Sequence, residues 1–455
     1  MTMQVSPTVS SLVDRDAFLT GLLQEVTPVE GEDWLQDLRQ NAAHWVRHTV
    51  IPNTRDEEWR FTDLSALRQV QFRVDRELTA VDIAGLILPE AVNSRLVFVN
   101  GVYAPELSAV ADLPAGVTVS NLAGLSESED VRKYLAQSEN SQEVFTALNT
   151  AGMTDVAVVL VAKNVVVESP IHLLFVAVVG EDAVISQPRC LVVAETGSSV
   201  SLIEEFTNRP RAAIPVRAVG AESAEKVYFT NTVTEVWVGE NAEVTHTRVE
   251  RDGLEAFHVG KTAVTQGRDS RYTCHAFTYG GKLSRHNLEI FQAGEQTQTT
   301  LNGLTMISGK QLADTHSTIA LNHPYSTSRQ LHKCIVGDRA HAVFNGKVFV
   351  PKPAQLTDAG QLNRNLLLSS KARVDTKPQL EITADNVKCS HGATVSQLED
   401  DEIFYLQSRG INETDARKLL INAFAAEIIN QIPVKSLQDT LLNTVNSLKF
   451  LSSDS

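Results

Sequence analysis

Gly239-Glu-Asn-Ala-Glu-Val244, Gly267-Arg-Asp-Ser-Arg-Tyr272 and Gly294-Glu-Gln-Thr-Gln-Thr299 share one form: a turn glycine, two or three polar residues, then a strand. The same form opens earlier at Gly197-Ser-Ser-Val-Ser-Leu202 and returns at Gly337-Asp-Arg-Ala-His-Ala342. Successive glycines stand 42, 28, 27 and 43 residues apart. The two close values set the length of one coil, and the larger gaps require an insertion or a half-coil. Thr207 to Lys226, with Pro210 and Pro215, supplies one insertion. A solenoid of parallel β coils explains such a run, because each coil hides its apolar face only against its neighbours. An antiparallel sandwich would instead favour tight hairpins every 8–12 residues, which are mostly missing here.

Around this core the period changes. Leu35, Leu38, Ala42, Trp45 and Val46 recur at helical spacing, and Pro52 ends the pattern. Arg55-Asp-Glu-Glu-Trp-Arg-Phe-Thr-Asp63 reads as a charged surface segment anchored by Trp59 and Phe61. Leu96-Val-Phe-Val-Asn-Gly-Val-Tyr103 reads as two strands joined at an Asn-Gly turn. Short β segments rich in Val, Thr and Ile fill the chain beyond residue 155, and amphipathic helices return only at residue 412. There Asn412 is the expected N-cap, and Ala416, Leu419, Leu420, Ala423, Phe424 and Ile428 form one stripe, stopped by Pro433. Ser436-Leu-Gln-Asp439 suggests a second cap, before a stripe of Leu437, Leu441, Val445 and Leu448. Ser452–Ser455 is expected to fray. The organisation is therefore mainly β: a helical region over 1–94, a β-helix core over 95–400 and a helical region over 401–455.

Composition narrows the function. Among 455 residues the net charge of −15 argues against general binding to nucleic acid or an anionic membrane. Four widely spaced cysteines, Cys190, Cys274, Cys334 and Cys389, make no disulfide framework, which points to a reducing, cytoplasmic setting. Met1 to Asp16 shows no basic segment followed by an apolar core, so no secretory signal is read. The most apolar window, Val156 to Val179, is broken by Lys163, Glu168, Pro170 and His172 and reads as strands rather than a membrane span.

The chemistry concentrates near the carboxyl end. Cys389 stands two residues from His391, after the alternating Leu380, Ile382 and Ala384. If one strand runs through them, thiol and imidazole project from one face about 7 Å apart. Together they offer sulfur and nitrogen to iron or an iron–sulfur precursor, and a second chain would have to complete the shell. Gly392 marks a place where the backbone can turn or another chain approach. A lone cysteine beside Val387 and Ala384 is also read as a small buried hydrophobe. The histidines of the β region, His246, His258, His275, His286, His316, His323, His332 and His341, read as structural residues, with Asp314-Thr-His316 placing two polar groups on one face. Gly303 to Lys310 fails as a phosphate loop: one residue too many separates its glycines, and Gln311 follows the lysine. A carbohydrate-active β-helix enzyme would need converging carboxylates, for which Asp314, Asp358, Glu381 and Asp385 are the candidates.

These segments, in their order, resemble the SufB/SufD family of the SUF iron–sulfur cluster assembly machinery over nearly the whole chain. The resemblance is carried by Arg55 to Asp63, Asn231 to Ala242, Asp314-Thr-His316, Lys333, Val343-Phe-Asn-Gly346, Thr357-Asp-Ala-Gly-Gln361, Leu366-Leu-Leu368, Thr376 to Thr394 and Phe404 to Ile411. Cys389-Ser-His391-Gly-Ala393 is similar to the D branch, SufD, whereas the paralogous B branch, SufB, typically reads His-Glu-Ala there. The resemblance implies a right-handed parallel β-helix with helical ends and a scaffold rather than an enzyme. It implies pairing with SufB through the β-helices, with a homodimer as a further state, and docking of the ATPase SufC on the carboxyl-terminal helices. No cofactor is held permanently; iron or a nascent cluster is shared with SufB at His391, with Cys389 beside it. Leu419, Leu420 and Phe424 are the candidate docking residues for SufC, and Arg409 is a coupling residue at the junction to the terminal helices.

Overall fold

The computed structural model describes residues 15–25, 32–77, 81–111, 113–125, 129–138, 141–210 and 226–447. Two parallel sheets face each other. One runs from Ala157–Val161 to Arg373–Ile382 and the other from Ile171–Val179 to Lys388–Gln397, and the chain alternates between them to make eight turns of a β-solenoid. The register gives the coil length directly. Glu243 pairs with Arg271, which pairs with Gln298, steps of 28 and 27 residues. The two longer glycine gaps have different origins. Between Gly197 and Gly239 the insertion after the strand Ser199–Pro210 intervenes, and its residues 211–225 lie outside the described residues. Gly337 instead lies between Thr327–Val336 and His341–Val350, on the opposite corner from Gly294, so that gap is one and a half coils.

Over the early coils both sheets bury both faces, whereas the last strands, Arg373–Ile382 and Lys388–Gln397, are more open. Inside, Val200, Leu202, Phe206, Val236, Val238, Val244, Leu288, Ile290 and Leu301 form one continuous core. Near-continuous apolar strands are what a doubly covered parallel sheet requires. Outside, helices provide the cover. Helices α1 (Ala17–Glu25), α2 (Asp33–Arg47) and α3 (Ser65–Arg68) belong to the amino-terminal region, and α4 (Glu129–Tyr134) and α5 (Val144–Gly152) precede the first coil. Leu19, Leu22, Trp59, Phe72 and Phe145 pack on Phe229, Phe257 and Leu283 of the first sheet. The Asn100-Gly101 turn forms as expected, with both residues at positive φ, between antiparallel Ser94–Val99 and Val102–Tyr103.

Helices α6 (Asp400–Ser408), α7 (Glu413–Ile429) and α8 (Lys435–Ser447) close the chain. Asn412 caps α7 by accepting from the Asp415 amide at 2.9 Å. Helices return at Asp400, one residue before the expected helical region, and α6 buries only Ile403, so the first apolar stripe still belongs to α7. Two expectations are corrected here. In α7 the buried stripe is Ala416, Ile421, Ala425, Ile428 and Ile429, with Leu419 exposed. This helix is apolar on more than one side, so periodicity alone cannot choose; Leu304, Met306 and Ile335 of the second sheet choose it. Ser436 lies inside α8 rather than capping it, its amide and hydroxyl both donating to Glu90. Leu437, Leu441 and Val445 are buried as expected; Leu448 and Ser452–Ser455 lie outside the described residues. No helix among the described residues is long and apolar enough to cross a membrane.

Candidate functional site at the open end of the solenoid

Cys389 and His391 lie on Lys388–Gln397, the last strand of the second sheet. The strand expected to run into them, carrying Leu380 and Ile382, belongs to the other sheet and stops at Ile382. A corner at Thr383–Val387 intervenes, with Ala384 buried in it. The chain does not turn at Gly392, which sits within the strand. The i, i+2 relation of thiol and imidazole survives both corrections, because both residues share the new strand.

Register decides which way they face. Cys389 aligns with Ala359, and His391 with Gln361, which aligns in turn with Gln330. Ala359 is part of the interior core. Gln361 donates to Gln330 at 2.9 Å, and Gln330 donates to Ser317 of the opposite sheet at 2.8 Å, so this column lies inside the solenoid. A Cβ on Gly346 would sit 2.3 Å from the Gln361 amide nitrogen, so a side chain there would displace this ladder. His391 is therefore the next rung after two buried glutamines, and Gln361 Oε1, one strand below, has no hydrogen-bond partner. No further coil covers these rungs among the described residues, so His391 is exposed while Cys389 is half-buried against the core.

The electrostatics separate Cys389 from the other thiols. Burial pushes Cys274 and Cys334 up to about 12, which leaves them inert. Burial also raises Cys389, partly offset by the Ala359 backbone, so this thiol does not rest as a thiolate. Burial likewise pushes His332 down to about 4, which keeps it neutral and structural. Glu250, Asp252 and His258 converge within 4.8 Å. Arg248 already serves as their cation, with Nη1 3.2 Å from Glu250 and Nη2 2.6 Å from His258 Nε2.

The carboxylates weighed for an enzyme do not converge. Asp314 pairs with Arg285, Asp358 with Arg329 and Glu381 with Lys347, and Asp385 is exposed in the corner before the last strand.

The terminal helices place the remaining candidates on two sides. Leu419 is exposed, as is Arg409, whose guanidinium lies 5.2 Å from the Tyr405 ring. Leu420 is half-buried. Phe424 turns inward, its ring 4.2 Å from Lys333 Nζ, which also donates to the Phe424 carbonyl at 2.8 Å and pairs with Glu427. Sequence periodicity missed Phe404 and Tyr405, 70% and 57% exposed, which like Leu419 are apolar side chains left open on the terminal helices. The signal available was two adjacent aromatics in a segment otherwise rich in charge.

Comparison with known proteins agrees over most of the chain. Residues 176–424 match the SufBD core domain of SUF system FeS cluster assembly, and residues 24–173 match the SufBD protein N-terminal region. A SufBD family iron–sulfur cluster assembly protein of Synechocystis is 50% identical, covering 93% of this chain and 94% of its own. Protein ABCI7, chloroplastic, of Arabidopsis thaliana is 36% identical over 91% of this chain and 86% of its own. The iron–sulfur cluster assembly protein SufD of Escherichia coli is 33% identical over 87% and 88%. Solenoid, helical ends and these likenesses agree, and the chain belongs to the SufBD family of the SUF iron–sulfur cluster assembly system.

Proposed function

We propose that this chain is the D-type scaffold subunit of the SUF complex, pairing with SufB through the open end of its solenoid. The observation that carries the reading is the terminal coil. Two ten-residue strands, Arg373–Ile382 and Lys388–Gln397, each pair on one side only among the described residues. Unpaired edges of that length, with Ile382, Leu362 and Val395 exposed beside them, recruit another chain. His391 then contributes nitrogen, and Cys389 sulfur, to iron or a nascent cluster carried as cargo between the two subunits. The D-type assignment rests on Cys389-Ser-His391-Gly-Ala393 and on the relative named SufD.

SufC docks on the outer face of α6 and α7, where Phe404, Tyr405 and Leu419 are exposed. The chain's own part is mechanical rather than catalytic. Motion of α7 reaches the second sheet through Lys333, held by Glu427 and the Phe424 carbonyl.

His391→Ala tests the ligand role in the complete complex with SufB and SufC. An exposed side chain contributes little to folding, so assembly should be unchanged. Anaerobic reconstitution with iron and sulfide, followed by absorption and Mössbauer spectra, should show several-fold less cluster. A complex that falls apart makes the residue structural, and undiminished cluster makes this chain a binding partner without metal contact.

A further inference from the structure

A second charged cluster lies on the outer face of the first sheet, beneath the segment Arg55–Asp63. One turn of 3-10 helix, Glu57–Trp59, reaches four successive strands there. Trp59 is buried, and the Arg285 guanidinium stacks 3.9 Å from its ring. Arg285 Nη1 donates to the Glu58 carbonyl at 2.8 Å and to Asp314 Oδ2 at 2.5 Å, and Thr62 Oγ1 donates to the same oxygen. Asn345 donates to Glu58 Oε2 at 3.4 Å, and Lys377 pairs with Glu57 at 2.5 Å. His316 sits in the middle. Its Nδ1 is 3.2 Å from Glu58 Oε2, and its Nε2 is 3.0 Å from Asp314 Oδ1. That Asp314 oxygen is buried and has no hydrogen bond, so the imidazole facing it at 3.0 Å acts on it through charge.

A neutral imidazole has one N–H and one lone pair, and cannot face two carboxylates without setting the lone pair against one of them. The charge balance agrees. Glu57, Glu58 and Asp314 supply three negative charges, and Arg285 and Lys377 supply two positive ones. The other charges lining the adjoining groove of ≈ 400 Å³ are already occupied. Glu143 caps α5, Glu289 pairs with Lys261, and Lys347 pairs with Glu381. We infer that His316 is an imidazolium clasp: protonated, it fastens the Glu57–Trp59 turn across four coils out to the open edge, and deprotonated it releases Glu58.

Burial is the largest single influence and works against a protonated His316, but the Asp314 and Glu58 carboxylates together overcome it and the net shift is upward. The clasp's contribution is therefore complete below the ordinary histidine value of 6.5 and lost as pH rises through the raised folded value. Glu58 is largely exposed, so release opens the turn locally and leaves the solenoid standing.

Hydrogen exchange of the full chain tests this, read at amides 57–62 at pH 6 and pH 9 and corrected for intrinsic exchange, with amides 233–238 as reference. In the wild type, protection of 57–62 should fall several-fold at the higher pH while the reference holds. His316→Gln should show the lower protection at both pH values. Glu58→Gln, at an exposed position that does not endanger folding, should lose most of the pH response. Equal wild-type protection at both pH values, an undiminished response in Glu58→Gln, or a parallel fall at 233–238 would each overturn the clasp. None of these outcomes bears on whether the chain is a D-type subunit.

Discussion

The two ends of the solenoid are built oppositely. At the amino-terminal end, the strand Ala157–Val161 is covered by antiparallel Val117–Asn121, and Ile171–Val179 by parallel Ser94–Val99 and its hairpin. Phe98 stacks on Phe175, and Phe175 on Phe206, at 5.3 and 5.1 Å, filling the interior with aromatic rings. At the carboxyl-terminal end the interior rungs are Gln330, Gln361 and His391, and the last strands have no cover among the described residues. An edge closed by its own chain is a stability device; an edge left bare with polar rungs is a contact surface. The difference teaches where this molecule stores folding energy and which end the proposed pairing with another chain would use.

That contrast can be broken by mutation. The largest effect is expected at the closed end: Phe175→Ala removes the middle ring of the stack and should cost about 3–5 kcal/mol, read from the denaturant midpoint. Asp314→Asn comes next, because it leaves Arg285 buried without its counter-charge, at a cost of about 3–5 kcal/mol less whatever the side facing Glu58 recovers. Arg285 holds the Asp314 carboxyl down to about 2 against burial. Its contribution is present above the unfolded value of 3.8 and disappears as pH falls through about 2, so the acid limb of a wild-type stability curve should flatten in the mutant. The smallest effect on folding belongs to the open end. Val395→Lys, at a side chain 51% exposed, should shift stability by no more than about 0.5 kcal/mol, yet abolish co-purification with SufB. A large loss of stability there, or retained pairing, would erase the distinction between the ends.

Much of the fold was legible in the chain. The coil length follows from turn glycines that recur where one sheet hands over to the other, as between Gly239, Gly267 and Gly294. The charged segment with Trp59 was identifiable as a surface anchor, because a large aromatic among acids has to find cover. The pairing of Cys389 with His391 was readable as two donors on one strand face. Helix α6 showed no stripe to read, because Phe404 and Tyr405 face outward and only Ile403 is buried.

The partners of Glu58 were equally hidden. His316 lies 258 residues away, and Asn345, at 287, is farther still. What the primary structure settled alone is local: period, turn chemistry and the donor types at 389 and 391. Tertiary structure decided everything that depends on stacking one coil on the next. It selected the sheet that carries Cys389 and His391, aligned His391 above Gln361, and chose which stripe of an all-round apolar α7 is buried. Strand alternation has a period of two within a segment, but face and register are fixed only when a neighbouring strand supplies the hydrogen bonds.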